Sequence, residues 1–135
     1  MEVMKRSVVR VVLVIAAAIA AAAWLPRVVA SRDPAKPVRE IRIVAKDMAF
    51  YVDGDRTPNP TLRVKAGEQI RVVLRNDDPG MTHDFAVTPW ELATKTLTVK
   101  GEWDAVTFRV PAVRGTIPYQ CTPHSQMMKG TIAIE

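Results

Sequence analysis

The sequence predicts an all-β fold, an antiparallel β-sandwich or a small barrel, over most of its 135 residues. Three observations favour this prediction. The apolar runs after residue 31 are short, rich in β-branched residues and often alternate with polar residues, as half-buried strands do. Ten prolines and six glycines interrupt the chain, and their density argues against a long helix after residue 31. That part of the chain also shows no helical period and no internal repeat.

Turn-forming residues separate the predicted strands. The clearest strand is 69–75, where apolar and polar residues alternate between a turn at 66–68 and a loop at 76–82. Pro118, inside the run 115–120, indicates an edge position or a bulge. The segment 90–95 is ambiguous and has room for one helical turn. About eight short strands are predicted, within nine apolar or alternating runs: 40–44, 48–52, 61–64, 69–75, 84–87, 96–99, 105–110, 115–120 and 130–135.

The N-terminus is a separate segment. A basic head that includes Lys5, Arg6 and Arg10 precedes the apolar run 11–25, which is short for a membrane span. Small residues lead to Ala30, at a position that a signal peptidase reads. We therefore expect residues 1–30 to be a signal peptide cleaved after Ala30. The alternative is an uncleaved membrane anchor formed by residues 11–25.

This division predicts a linker at 31–39 and a folded domain at 40–135. It also predicts a periplasmic or otherwise exported protein, which contacts a membrane only if the N-terminal segment is kept. Residues 1–30 hold four of the 19 Lys and Arg and one of the 14 Asp and Glu, which leaves 15 against 13, a net charge of +2. Because these charges alternate in sign, no nucleic-acid partner is expected.

Cys121 is the only cysteine in the chain. Cysteines of exported proteins usually pair, but a single cysteine cannot pair within its own chain. It is therefore an inert core thiol, half of an intermolecular bridge, or a metal ligand.

Soft and borderline metal ligands cluster near the C-terminus. Cys121, His124, Met127 and Met128 lie within eight residues, and a proline stands in the turn between the first two. His83, the only other histidine, follows a second loop. If that loop lies alongside, two histidines and one cysteine with a weak methionine nearby form the ligand set of a blue-copper electron-transfer site.

The two loops resemble those of a known family. The run Cys121-Thr122-Pro123-His124 is similar to the copper loop of the cupredoxins, the plastocyanin/azurin-like type 1 blue copper proteins. The run HSQMMKGT that begins at His124 is similar to the segment that follows the cysteine in that family. The stretch from Asn76 to His83 resembles the upstream histidine loop.

This resemblance implies a Greek-key β-sandwich that is cupredoxin-like and holds one copper ion, as Cu(I) or Cu(II). It implies that His83 and His124 bind through ring nitrogens and Cys121 through its thiolate. Met128 is the implied long axial ligand because it precedes Lys-Gly, and Met127 is the alternative at a shorter spacing.

Asp84 departs from the family pattern, which commonly has asparagine after the first histidine to tie the two ligand loops together. An ionised carboxylate accepts hydrogen bonds but cannot donate them. Three outcomes are open: part of the tie is lost, Asp84 is protonated, or Asp84 engages the metal. Met81, two residues before His83, is another soft side chain that is a candidate to reach copper.

The sequence therefore predicts a small exported type 1 copper protein, not an enzyme, that carries single electrons between redox protein partners. We expect transient partners and a monomer. A binuclear copper centre needs two cysteines and a multicopper oxidase needs many histidines, so both classes are excluded. Two alternatives remain: a copper-binding or copper-delivery protein without a main electron-transfer role, and a metal-free sandwich that acts as an interaction domain.

Overall fold

Nine strands form two sheets in the computed structural model, which describes residues 38–135. The sheets are made of short elements, none longer than eight residues. The strands are β1 (Arg39–Lys46), β2 (Ala49–Val52), β3 (Thr61–Val64), β4 (Gln69–Asn76), β5 (Ala86–Val87), β6 (Leu92–Ala93), β7 (Trp103–Arg109), β8 (Gly115–Gln120) and β9 (Lys129–Ile134). The all-β prediction is confirmed.

The chain crosses between the two sheets several times, and only the pairs β1–β2, β5–β6 and β8–β9 are neighbours both in sequence and in a sheet. One sheet has the order β2-β1-β4-β7 and the other has the order β3-β9-β8-β5-β6. Most pairs are antiparallel, but β1 pairs with β4 and β3 pairs with β9 in parallel. Parallel partners must be reached by a long connection, so they are not visible as hairpin signals in the sequence.

Alternation along the strands builds the core between the sheets. Ile41, Ile43 and Ala45 of β1 are buried, whereas Arg42 and Val44 between them are exposed and half-buried, respectively. Three aromatic rings lie at the centre of the core. Tyr119 stacks on Phe85 with the ring centroids 5.2 Å apart and lies 5.5 Å from Phe50.

The predicted strand at 96–99 is wrong. Only Leu97 makes a bridge there, to His83. The backbone N–H groups of Thr98 and Val99 donate instead to the side chain of Glu102, at 2.7 and 2.9 Å. These bonds occupy the N–H groups of Thr98 and Val99 within a tight turn, so the pairing with His83 does not extend beyond Leu97 into a strand.

The ambiguous segment 90–95 divides into two elements. A short 3₁₀ turn covers Thr88–Trp90, and β6 follows at Leu92–Ala93. Pro118 lies on β8 where β9 is its only paired neighbour, because β5 joins β8 only at Gln120. The predicted edge position of this proline is therefore confirmed.

The predicted signal peptide at 1–30 and most of the predicted linker lie outside the described residues. β1 begins at Arg39, so its first residue falls within the predicted linker 31–39. Among residues 38–135, no helix has the length and hydrophobicity needed to cross a membrane.

Strand register brings the two predicted ligand loops together. Ala86 of β5 pairs with Gln120, the last residue of β8. His83 lies three residues before Ala86, and Cys121 comes directly after Gln120. The pairing of two strand ends therefore places side chains that are far apart in sequence at one end of the sandwich.

Candidate metal centre

The ligand loop, defined as residues 121–128, connects β8 to β9. A 3₁₀ turn with Pro123 at its start covers Thr122–His124. The Cys121 N–H donates to the Met128 carbonyl at 2.9 Å, and the Met128 N–H donates to the His124 carbonyl at 2.9 Å. These two bonds close the loop, so the cysteine, the histidine and the methionine are fixed relative to one another through the backbone.

His83 is fixed from the other side. Its N–H donates to the Leu97 carbonyl at 3.0 Å, and the Leu97 N–H returns a bond of 2.7 Å to the His83 carbonyl. The His83 side chain is completely buried, with 0% exposure, whereas His124 is half-buried. The ring centroids of the two histidines lie 5.1 Å apart.

Three donor atoms form a compact triangle. Cys121 Sγ lies 3.7 Å from His83 Nδ1 and 3.6 Å from His124 Nδ1. The ligand atoms of these three residues all lie within 4.8 Å of one another, and they form the one such group among residues 38–135. When a metal lies about 2.0 Å from a nitrogen and about 2.3 Å from a sulfur, and the angle between the two bonds is trigonal, the nitrogen and the sulfur are roughly 3.7 Å apart. The triangle therefore fits a transition-metal ion, and its donor types fit copper.

The two adjacent methionines differ in burial. Met128 is completely buried beside the cysteine in the core, whereas the Met127 side chain is 57% exposed. Met127 is attached through its backbone instead, since its carbonyl accepts from Asn59 Nδ2 at 3.0 Å. Burial next to the site favours Met128 as the axial ligand, and this assignment stays a prediction.

The model of the copper-binding plastocyanin/azurin family matches residues 45–135. The chain belongs to this family. The match covers both ligand loops and eight of the nine strands of this cupredoxin completely. The protein is therefore a copper protein, and the triangle of His83, Cys121 and His124 is its candidate site for one copper ion.

Solved structures show the same fold. Auracyanin A, a blue copper protein from Chloroflexus aurantiacus, is 21% identical over 73% of this chain and 100% of its own, with a TM-score of 0.57. Auracyanin B is 26% identical over 73% of this chain and 90% of its own, with a TM-score of 0.56. An auracyanin from Roseiflexus castenholzii is 23% identical over 71% of this chain and 96% of its own, with a TM-score of 0.56. No match is found among curated protein sequences.

Asp84 ties the two loops together in this cupredoxin. Its Oδ1 accepts a hydrogen bond of 2.6 Å from the backbone N–H of Thr122, next to Cys121. An acceptor is all that this bond requires, so the carboxylate keeps the connection across the loops. Asp84 does not belong to the metal-ligand group found among residues 38–135. Met81 is held through its backbone, because its carbonyl accepts a hydrogen bond from Asn76 Nδ2 at 2.9 Å. A contact of its side chain with copper stays a prediction.

Burial shifts the pKa values of His83 and Cys121. It lowers the pKa of the His83 imidazole below its ordinary value, although Asp78 opposes the shift. It raises the pKa of the Cys121 thiol, and the backbone N–H groups of Asp84 and His124 only partly offset the rise. At neutral pH a metal therefore meets a neutral imidazole and a thiol, and binding must displace the thiol proton.

Sequence reasoning missed two residues that organise the site. Asp78 lies in the loop before His83 and contacts its ring, and only its position in an Asn-Asp-Asp run could have drawn attention to it. Asn59, in the remote loop 53–60, holds Phe50 through its Oδ1 and the ligand loop through its Nδ2. Nothing local in the sequence indicates a contact with Met127, which is 68 residues away.

Proposed function

We propose that this cupredoxin binds one copper ion through His83, Cys121 and His124, with Met128 as a long axial ligand, and carries single electrons between redox proteins. The observation that carries this proposal is the triangle of two imidazole nitrogens and one sulfur. The sulfur of Cys121 lies 3.6 Å from His124 Nδ1 and 3.7 Å from His83 Nδ1. A trigonal set of two histidines and a cysteine with a weak axial methionine is the ligand set of electron-transfer copper.

The supporting hydrogen bonds favour a site that keeps its shape. The backbone of His83 is bonded to Leu97, that of Cys121 to Met128, and the two loops are joined by Asp84. None of these bonds uses a donor atom of the triangle. The donors therefore stay in place when copper changes its oxidation state, and a small rearrangement is what rapid one-electron transfer needs.

His124 offers a route for the electron. His83 is buried in the sandwich, but His124 is half-buried in the ligand loop. Thr122, Pro123 and Met127 are all exposed around it. We propose that redox partners dock here transiently, because a small apolar surface around the histidine edge lets two proteins approach closely and separate quickly.

The same docking proposal has a matched control. Val113, in the loop between β7 and β8, is also an exposed hydrophobic residue, but it lies at the opposite end of β8. We expect Met127→Ser to slow electron exchange with a redox protein and Val113→Ser to leave it unchanged. Equal rates in both variants would place the docking surface elsewhere.

We also propose that the protein is exported and works outside the cytoplasm. The basic head, the apolar run 11–25 and the small residues at Ala30 support this location. Cell fractionation with N-terminal sequencing tests it. A periplasmic chain that begins at Ser31 supports cleavage, a membrane-bound chain that keeps residues 1–30 supports the anchor, and a cytoplasmic chain contradicts export.

The deciding experiment for the copper site is a visible and EPR spectrum of the protein with Cu(II), followed by voltammetry. An intense thiolate-to-copper band, a narrow copper hyperfine splitting and a reversible one-electron wave are expected. A thiolate band without a reversible wave, together with ready release of Cu(I) to a chelator, would favour copper delivery instead. Absence of the thiolate band would contradict the proposed ligands.

A further inference from the structure

The ring of His83 uses both of its nitrogens. Nδ1 faces the sulfur of Cys121 at 3.7 Å, and Nε2 lies 3.0 Å from Oδ2 of Asp78. Asp78 is a buried carboxylate, with 8% exposure, and the His83 ring is fully enclosed. Two buried side chains with opposite hydrogen-bonding capacity are thus held together next to the copper donors.

The other contacts of Asp78 indicate which group donates. Its Oδ1 accepts from the backbone N–H of Asp47 at 2.9 Å, and its Oδ2 accepts from the N–H of Met48 at 3.4 Å. Backbone N–H groups can only donate, so both carboxylate oxygens act as acceptors. Backbone donors on both oxygens favour the ionised carboxylate, which has no proton to donate, so we assign the proton between the two side chains to His83 Nε2, and Nδ1 keeps its lone pair for a metal.

The backbone on both sides holds Asp78 in place. Asp47 and Met48 form the two-residue turn between β1 and β2, and their φ angles are 50° and 59°. Positive φ at both positions is the conformation of a type I′ hairpin turn, which is uncommon for residues other than Gly, Asn and Asp. At the other side, the N–H of Asp78 donates to Oδ1 of Asn76, at the end of β4, at 2.9 Å. Asp78 thus joins the hairpin turn and the His83 ring through its carboxylate, and the end of β4 through its backbone N–H.

We propose that Asp78 is a positioning residue for copper in this protein. It holds the His83 ring so that Nδ1 points to the metal, and its negative charge strengthens His83 as a donor. A stronger donor stabilises Cu(II) more than Cu(I), so Asp78 lowers the reduction potential of the site. This inference rests on the proposed copper function, and it adds a carboxylate–histidine–metal arrangement of the kind that tunes other metal sites.

Asp78→Asn is the informative variant, and Asp77→Asn is its matched control. Both remove one negative charge from the same loop, but Asp77 pairs with Arg75 and does not contact His83. An asparagine at 78 has only one oxygen, so it cannot accept from Asp47 and His83 through two different oxygens as the carboxylate does. We expect Asp78→Asn to weaken the binding of both copper states, with a loss of affinity for Cu(II) that is about ten times the loss for Cu(I). For a one-electron couple this ratio raises the reduction potential by about 59 mV.

Potential measurements on both variants and nitrogen NMR of the wild-type histidines test the inference. A larger rise in potential for Asp78→Asn than for Asp77→Asn supports it, and an equal or smaller rise overturns it. The NMR is recorded on the metal-free protein, so it does not depend on copper or on the folding of a variant. A proton on His83 Nε2 supports the proposal, and a proton on Nδ1 overturns it. Absence of a thiolate-to-copper band in the wild type would contradict the proposed function separately.

Discussion

Asp84 offers a substitution pair that separates a hydrogen bond from a charge. Its Oδ1 accepts from the Thr122 N–H at 2.6 Å, and its side chain is nearly buried between the two ligand loops. Asp84→Ala removes both the acceptor and the charge. Asp84→Asn removes the charge but keeps an oxygen that can accept the same bond, and it restores the residue that is common in the family.

The size of the effect follows from the bond that is lost. A hydrogen bond to a charged group contributes about 1.5–3 kcal/mol, and one between neutral groups contributes about 0.5–1.5 kcal/mol. Thr122 is exposed, so water can partly replace the lost acceptor. We therefore expect Asp84→Ala to reduce the free energy of unfolding by about 1.5–2 kcal/mol, and Asp84→Asn by less than about 1 kcal/mol.

Denaturant unfolding of the metal-free proteins measures the two losses in the free energy of unfolding. Voltammetry of the copper forms measures how the charge of Asp84 changes the reduction potential. Both variants should have a higher reduction potential than the wild type, because a negative charge near the donors stabilises Cu(II). Only Asp84→Ala should show the larger loss of stability. Equal stability losses in the two variants would refute the reasoning, because the bond to Thr122 would then contribute nothing of its own.

Three further predictions concern the site and the core. Cys121→Ser should abolish the colour and most of the copper affinity, as seen in the visible spectrum and in competition with a chelator; retained colour would exclude the thiolate. Met128→Leu should raise the reduction potential and leave Cu(I) bound, whereas the exposed Met127→Leu should change neither, and the reverse result would move the axial ligand. Tyr119→Phe should cost about 1–2 kcal/mol at neutral pH, because it removes the 2.7 Å bond from the hydroxyl to the Pro60 carbonyl. Burial raises the pKa of Tyr119 above its ordinary value near 10, so the unfolded chain ionises first. Wild-type stability should therefore fall above pH 10 by about 1.4 kcal/mol per pH unit relative to this variant in denaturant unfolding.

The strands were predictable where local pattern and pairing agree. The predicted runs 61–64 and 115–120 coincide with β3 and β8, since alternation and flanking turn residues define them without help from elsewhere. The run 96–99 shows the limit of that method. Its alternation is as regular, but the Glu102 carboxylate accepts from the N–H groups of Thr98 and Val99, and only Leu97 pairs across to His83.

Residues of the site also differ in how well local sequence predicts their roles. Cys121 and His124 lie three residues apart, and the chain itself guarantees that they meet, so their spacing carried the copper prediction. Asp84 was harder to interpret because its residue type is compatible with a lost tie, a protonated acid or a ligand. Only the position of the Thr122 N–H showed that an acceptor suffices there.

The sequence by itself determined the donor types, the all-β class and the loop that joins cysteine, histidine and methionine, because these depend on residue chemistry and short spacings. The tertiary structure decided the rest. The pairing of Ala86 with Gln120 brings His83 to Cys121, and the hairpin turn at Asp47 places its N–H against Asp78. Such contacts join residues about 30 or more positions apart, and they depend on strand register, which no short stretch of sequence records.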